Sequence, residues 1–301
     1  MAEAQEGSAN PLVDAALPAP SIATRLTDQD YNSNALSYDE IEWAHAIKQA
    51  VEEDEDLQEL TDFEYAHYAI FTHGDTDNAV DRIRNMQEFR AEYKISNTAE
   101  EGIDLLQEMM TKQQPWLVLD MDYSTEREHF TLVLDYSRLQ PSKVKTPEDW
   151  RIMVGGQYYL HQIIHATIPS IQKGMVRICD VEGFEWKNFS VDFICTCYHH
   201  LFKHYPIKHQ ELTWMHSSSI ANLLHSLFKS MDRDFATSIR LGCQIDCCNG
   251  KLETIFLTPT PEVAEARLLK KCCTFMAARY YNQNVFRLPE RDATETTDAE
   301  E

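Results

Sequence analysis

Apolar side chains recur every three or four positions through residues 37–113, which indicates a series of amphipathic helices. Ser37 with Glu40, and Thr61 with Glu64, have the spacing of capping boxes. In that motif the two side chains satisfy backbone N–H groups at a helix start. Residues 37–113 are therefore predicted to form an all-helical N-terminal unit.

From residue 114 the pattern changes, and short runs of branched and aromatic residues alternate with helical stripes. This alternation is typical of an α/β fold in which crossover helices connect the strands of a mainly parallel sheet. A domain of this class is expected over residues 114–285. The predicted strands are 116–121, 129–135, 174–183, 211–216, 237–242 and 251–257, and the predicted helices are 146–167, 190–205, 218–230 and 261–281.

Three of these strands are apolar on both faces or nearly so, at 175–179, 212–215 and 239–241. Both sides of the sheet must then be covered. One side is expected to take the crossover helices. The other takes either further helices or an enclosed apolar ligand, and the pattern alone leaves both alternatives open.

The ends of the chain are acidic and lack periodicity, so residues 1–36 and 286–301 are predicted to be disordered tails. The formal net charge is −22. Residues 1–35 contain five acidic residues and one basic residue, residues 39–64 contain eleven and one, and residues 290–301 contain six and one. The rest of the chain is therefore close to neutral. Without clustered bases, nucleic-acid binding is not expected.

The N-terminus has no hydrophobic stretch, which predicts no export signal and a cytoplasmic location. The eight cysteines are then expected to be thiols. The chain contains no G-x-G-x-x-G, G-x-x-x-x-G-K-[ST] or G-x-S-x-G motif. Cys197 near His200 could suggest a nucleophile, but no third group that would orient it is identifiable. Neither an enzyme nor a cofactor is expected.

His161 and His165 lie four residues apart on a predicted helix, a spacing that lets two imidazoles face one metal ion. His199, His200 and His204 cluster near Cys195 and Cys197. The alternative is ordinary histidines beside an apolar face. Tetrahedral sites usually pair close cysteines with close histidines, so no metal site is predicted.

Residues 174–184 read G-M-V-R-I-C-D-V-E-G-F, and 205–208 read Y-P-I-K. With Leu227–Lys229, Arg240–Gly242 and a helical lead-in from Asp75, their order and spacing resemble CRAL-TRIO lipid-binding domains over residues 60–242. Ile207 stands where the phosphatidylinositol-transfer branch has glutamate. The chain is therefore more similar to the retinaldehyde- and tocopherol-carrier branch.

The resemblance implies a pocket between the sheet and a mobile helix. Strand parity puts Met175, Arg177 and Cys179 on one face, and the resemblance turns Met175 and Cys179 toward the ligand. Lys208 and Lys229 match basic positions of the family, and are expected to touch lipid phosphate or a membrane. The candidate pocket wall consists of His161, Met175, Cys179, Cys197, Leu201, Tyr205, Ile207 and Leu212.

These features predict intracellular binding and transfer of a lipophilic ligand, such as an isoprenoid or phospholipid, with transient contact to a membrane surface. Enclosing an apolar chain is favourable by about 25 cal/mol per Å² of surface removed from water. The alternative is a lipid-regulated interaction module without transfer activity, in which the acidic tails bind a protein partner. An enzyme of unrecognised type is the third reading.

Overall fold

The computed structural model describes residues 36–96, 98–110, 118–124, 129–197, 204–215, 219–231, 239–241 and 261–290. Its first part is helical, as predicted. The four N-terminal helices are α1 (Tyr38–Glu52), α2 (Asp62–Thr72), α3 (Thr76–Glu92) and α4 (Ala99–Glu108). Both predicted capping boxes are present: Ser37 with Glu40 starts α1, and Thr61 with Glu64 starts α2.

A five-stranded sheet follows, with its strands in sequence order: β1 (Val118–Ser124), β2 (His129–Asp135), β3 (Met175–Asp180), β4 (His209–Met215) and β5 (Ile239–Leu241). β1 pairs antiparallel with β2, whereas β2 to β5 are parallel. The connecting and closing helices are α5 (Pro147–Ile164), α6 (Ile168–Lys173), α7 (Val191–Cys197), α8 (Ser219–Met231) and α9 (Pro261–Val285). The predicted α/β class is confirmed. The predicted strand at 251–257 lies outside the described residues.

Several predicted element ends are wrong. The helix expected to run to about Thr167 ends at Ile164, and Thr167 instead caps the separate helix α6, with Pro169 in its first turn. Proline is tolerated there because the first turn needs no N–H donor. β1 continues through Ser124, beyond the predicted end of this strand at residue 121.

The predicted helix 190–205 is also wrong at its end, because Tyr205 lies in a bend outside any helix. The described helix α7 ends at Cys197, and residues 198–203 lie outside the described part of the chain. Pro206 gives a physical reason, since its ring disfavours the helical conformation in the preceding residue.

The turn before β3 explains why the 174–184 segment begins with a glycine. Gly174 has φ +79°, a left-handed conformation that side chains rarely adopt. A Cβ atom there would lie 2.7 Å from the carbonyl oxygen of Lys208, which also accepts a hydrogen bond from the N–H of Met175. Gly174 therefore allows the close approach between the start of β3 and the segment before β4.

The buried apolar residues form two main clusters. The N-terminal core joins α1, α2 and α3 and includes Ile168 and Ile171 of α6; its other members are led by Ala44, Ile47, Val51, Phe63, Ala66, Ile70, Ala79 and Ile83. The sheet core joins one sheet face to α4, α5, α7 and α9; its members include Leu132, Leu134, Met153, Tyr158, Met175, Cys179, Leu212, Trp214, Leu268 and Met276.

The segment after α9 returns to the N-terminal core. Phe286 and Leu288 are buried there, and the Phe286 ring packs edge-on against Phe63 with ring centroids 5.9 Å apart. The N–H of Leu288 donates to Asp62 Oδ2 at 3.1 Å. The prediction of a disordered tail from residue 286 is therefore wrong for residues 286–290. Leu36, assigned to the first tail, is likewise buried in this core.

The remaining tail residues, 1–35 and 291–301, lie outside the described residues. Throughout the described ranges, none of the helices combines the length and apolar character needed to cross a bilayer.

Candidate functional site

The two faces of β3 enter different environments. Met175 and Cys179 belong to the sheet core and expose no surface. Ile178 points to the other side, where it packs in a small separate cluster with Val133 and Met215. The predicted alternation along β3 is confirmed, and the candidate wall residues of this strand share one face.

Other members of the candidate wall are brought to the same core from different elements. Leu212 lies beside Arg177 in the register of β3 and β4, and Cys197 is the last residue of α7. Tyr205 and Ile207 come from the segment before β4. Cys197, Tyr205, Ile207 and Leu212 are all buried members of the sheet core. Leu201 lies outside the described residues.

His161 reaches the interior from α5 and exposes no surface. Burial lowers the pKa of this imidazole well below its usual value, and the positive charge of Arg177 lowers it further. His161 is therefore neutral at physiological pH. It adds a polar but uncharged side chain near the inward-facing residues of β3.

Arg177 is a buried cation on the candidate wall face that was not selected from the sequence. Its position between Met175 and Cys179 gives it their face, and it is 6% exposed. Its Nη2 donates to the Tyr136 hydroxyl at 3.0 Å. Burial raises the pKa of Tyr136, which keeps that hydroxyl protonated. Strand parity places Arg177 on this face, but it was not selected as a wall residue because a charged side chain is by default expected on the surface.

The wall cysteines are free thiols. Burial raises the pKa of Cys197 to about 12, and burial also raises the pKa of Cys179. Both side chains are therefore protonated at neutral pH. Since the thiolate is the nucleophilic form, they behave here as small apolar residues.

A cluster of rings joins the N-terminal unit to the sheet domain; we call it the junction cluster. Its members are His67 of α2, Tyr158 of α5, His165, Tyr205 and Arg279 of α9. The His67 and His165 ring centroids are 4.9 Å apart, and Tyr205 lies 5.7 Å from His67 and 5.4 Å from Tyr158. Arg279 Nη1 donates to the His165 carbonyl oxygen at 2.7 Å. Tyr205 therefore belongs both to the candidate wall and to this junction.

His161 and His165 are not arranged as two ligands of one metal ion. His165 is the residue after α5, and its Nδ1 lies 2.9 Å from the carbonyl oxygen of His161. Its ring is thus turned toward its own backbone. Within the described residues, no group of three or more histidine, cysteine, aspartate or glutamate side chains could hold a metal ion. His199 and His200 lie outside that part of the chain.

The two candidate membrane lysines differ in environment. Lys208 is half-buried and its Nζ donates to the carbonyl oxygen of Gln172, and burial lowers its pKa. Lys229 is exposed in the last turn of α8. α8 lies in the connection between the parallel strands β4 and β5.

A cleft of about 540 Å³ opens on the surface between the end of α3 and the start of α5. Tyr93 and Trp150 line it together with Lys94, Lys145 and Arg151. Sequence reasoning did not find this cleft, because its residues are distant in the chain. None of the described residues that line this cleft belongs to the candidate wall.

No protein-family model and no curated protein sequence matches this chain.

Proposed function

We propose that this protein binds a lipophilic molecule within its sheet domain and carries it between membranes in the cytoplasm. The observation that supports this most directly is the convergence of the candidate wall. Residues from α5, β3, α7, β4 and the segment before β4 meet at one apolar interior. The resemblance of the 174–184 and 205–208 segments to CRAL-TRIO domains assigns that interior to a ligand.

The chemistry of the wall favours an oily guest with one polar end. At neutral pH the thiols of Cys179 and Cys197 are protonated and His161 is neutral, so these side chains carry no charge. The guanidinium of Arg177 and the hydroxyl of Tyr136 are hydrogen-bond donors within the same region. The proposed ligand is therefore a hydrocarbon chain or ring system whose one end bears a hydrogen-bond acceptor. No catalytic step is proposed.

Lys229 is the better placed of the two lysines for contact with lipid phosphate, because its side chain is exposed. Lys208 already donates to a backbone carbonyl. A neutral body that approaches an anionic surface through a few bases gains about 1 kcal/mol per base near the surface. In this proposal Lys229 contributes to docking, and Lys208 mainly holds the turn before β4.

The test is extraction of the purified full-length protein with organic solvent, followed by mass spectrometry and by a transfer assay between donor and acceptor vesicles. The proposal predicts that one lipophilic species is extracted at close to one molecule per protein molecule. It also predicts that transfer between vesicles depends on the protein. A protein that emerges lipid-free and transfers nothing contradicts it. If lipid is bound but not transferred, and loading alters the capture of a protein partner, the interaction-module alternative replaces the carrier.

A matched pair of variants sharpens this test. Cys179→Phe adds volume on the candidate ligand face of β3, and Ile178→Phe adds it to the neighbouring residue on the opposite face. We expect Cys179→Phe to lower lipid content at least about tenfold while the protein stays folded, because the phenyl ring occupies volume that the bound ligand would otherwise fill. Ile178→Phe keeps its lipid in the folded fraction. Equal effects of the two variants on lipid content contradict the assignment of the faces.

A further inference from the structure

A small cavity lies where α2, α3, α5 and α9 meet beside the junction cluster. Its volume is about 20 Å³, which holds one particle about the size of a water molecule. The side chains that line it come mainly from α2 and α3, with Tyr158, Tyr205 and Arg279 on its inner side. The cavity is separate from the inward face of β3.

Two guanidinium groups line this cavity. Arg279 is 1% exposed and Arg90 of α3 is half-buried. The charge of Arg279 is met by the carbonyl oxygen of His165 and by the ring of Phe63, whose centroid lies 4.4 Å from the guanidinium carbon. Within the described residues neither arginine forms an ion pair with a carboxylate.

Several donors at the cavity have no hydrogen-bond partner in the described part of the chain. They are the Nε atoms of Arg90 and Arg279 and the hydroxyl of Tyr205, and all three atoms are buried. Buried donors are nearly always satisfied by protein, water or a ligand, so this arrangement needs an acceptor. Guanidinium N–H groups cannot themselves accept, and an acceptor placed among them would receive charge-assisted hydrogen bonds.

The charges at the cavity do not balance. Glu64 of α2 is the carboxylate among the lining residues, and its Oε2 is already used by the Thr61 N–H at 3.0 Å and the Thr61 hydroxyl at 2.9 Å. Two guanidinium groups against one carboxylate leave one positive charge. One monovalent anion would neutralise it, whereas a water molecule would supply only the acceptor.

We propose that this cavity is a binding site for a single small monovalent anion, of the size of chloride, held by Arg90, Arg279 and Tyr205. The volume excludes phosphate and carboxylate groups unless the walls move. Since Arg90 belongs to the N-terminal unit and Arg279 to the last helix, the bound ion would fasten these two parts of the chain together. The inference goes beyond the lipid proposal and does not depend on it.

The test compares thermal unfolding of the full-length protein in sodium chloride and sodium gluconate at constant ionic strength. A site that binds only the folded protein raises the unfolding temperature, by about 4 to 5 °C as chloride rises to about a hundredfold above its dissociation constant. Bromide should act as chloride does. Crystals grown in bromide should show an anomalous peak between Arg90, Arg279 and Tyr205. The proposal is overturned if the unfolding temperature is the same in chloride, bromide and gluconate, and if the crystals show a water molecule and no anomalous peak in the cavity.

Three variants separate this site from general salt effects. Arg90→Gln removes one cation and should weaken the chloride response about tenfold. Arg82→Gln removes a cation from the same helix outside the cavity and should leave the response unchanged. Glu64→Gln keeps the capping box, because glutamine also serves at that position, and should lower the chloride concentration of half-effect severalfold. Equal responses of Arg90→Gln and Arg82→Gln contradict the site, and so does a chloride response that Glu64→Gln abolishes.

Discussion

The N-terminal core and the interior of the sheet domain are both buried, but they differ in chemistry. The N-terminal core is filled mainly by aliphatic side chains such as Ala44, Ile47 and Val51, and its buried members include two tyrosines but no charged side chain. The sheet domain and its junction bury His161, Arg177 and Arg279 among their apolar residues. Buried polar groups cost free energy unless they are matched. The first region is therefore built for stability, while the second holds the features expected of a binding site.

The largest effect is expected in the N-terminal core. Ile47 exposes no surface, so Ile47→Ala leaves a cavity and should lower the free energy of unfolding by about 3 to 4 kcal/mol. Ile41 lies on the same helix but is only partly buried, and Ile41→Ala should cost about 1 kcal/mol. Urea unfolding measures both. Lipid content of the folded Ile47→Ala protein should be unchanged, and a selective loss of lipid would remove the distinction between the two regions.

The second effect is a pH dependence of stability that arises from the buried histidines of the polar interior. Burial lowers the pKa of His165 to about 4, and burial also lowers those of His67, His161 and His209. In the unfolded chain a histidine takes up its proton near pH 6.5, so the unfolded state binds more protons between pH 6.5 and 4. Stability should therefore fall as the pH drops through this window, by roughly 3 kcal/mol for His165 alone.

Urea unfolding at several pH values between about 7.5 and 4.5 measures this slope. His165→Asn removes one titrating group and should flatten it. A stability that is constant across the window would show that these imidazoles are protonated in the folded protein, and a slope that the substitution leaves unchanged would show that His165 does not contribute to it.

A third effect concerns the backbone of the sheet domain. Gly174 and Gly183 both have positive φ, but only at Gly174 would a Cβ atom meet backbone, at 2.7 Å. Gly174→Ala should lower the free energy of unfolding by about 2 to 3 kcal/mol, and Gly183→Ala by about 1 kcal/mol. Denaturant unfolding of the two variants checks the order. Equal losses of unfolding free energy in the two variants would mean that the backbone of the turn before β3 shifts easily to accommodate a Cβ atom.

The smallest effect is at the start of α1. The Ser37 hydroxyl accepts a hydrogen bond from the N–H of Glu40, and Ser37→Ala should cost about 1 kcal/mol. Ser226 is exposed within α8 and its hydroxyl donates to the carbonyl oxygen of Asn222, so Ser226→Ala should change stability by less than about 0.5 kcal/mol. Thermal unfolding distinguishes the two. A Ser37→Ala protein as stable as the Ser226→Ala protein would show that the cap contributes nothing.

Local signals in the sequence predicted the features that neighbouring residues determine. The capping boxes at Ser37 and Thr61 and the alternating faces of β3 are examples, because a few adjacent positions fix each of them. Thr167 shows the limit of such signals. The apolar pattern continues across it, and only the cap it forms with Ser170 reveals that a second helix begins there.

Features that depend on distant contacts could not be predicted in this way. Arg279 follows Leu268, Cys272 and Met276 at helical spacing, but a lone arginine in a stripe is ordinarily taken as exposed. Leu268 and Cys272 belong to the buried side of α9, whereas the adjacent Cys273 is only half-buried. Phe286 was assigned to a tail because acidic residues follow it, and its partner Phe63 lies more than two hundred positions earlier.

That long-range contact has a consequence for biosynthesis. The earliest helices to leave the ribosome are capped and patterned well enough to form, but their hydrophobic centre is completed by Phe286 and Leu288. A nascent chain that has not yet released these two residues would hold an unfinished helical bundle with Phe63 partly uncovered. We therefore expect cooperative folding of this protein to occur after translation has passed Leu288, with the first and last segments ordering in one step.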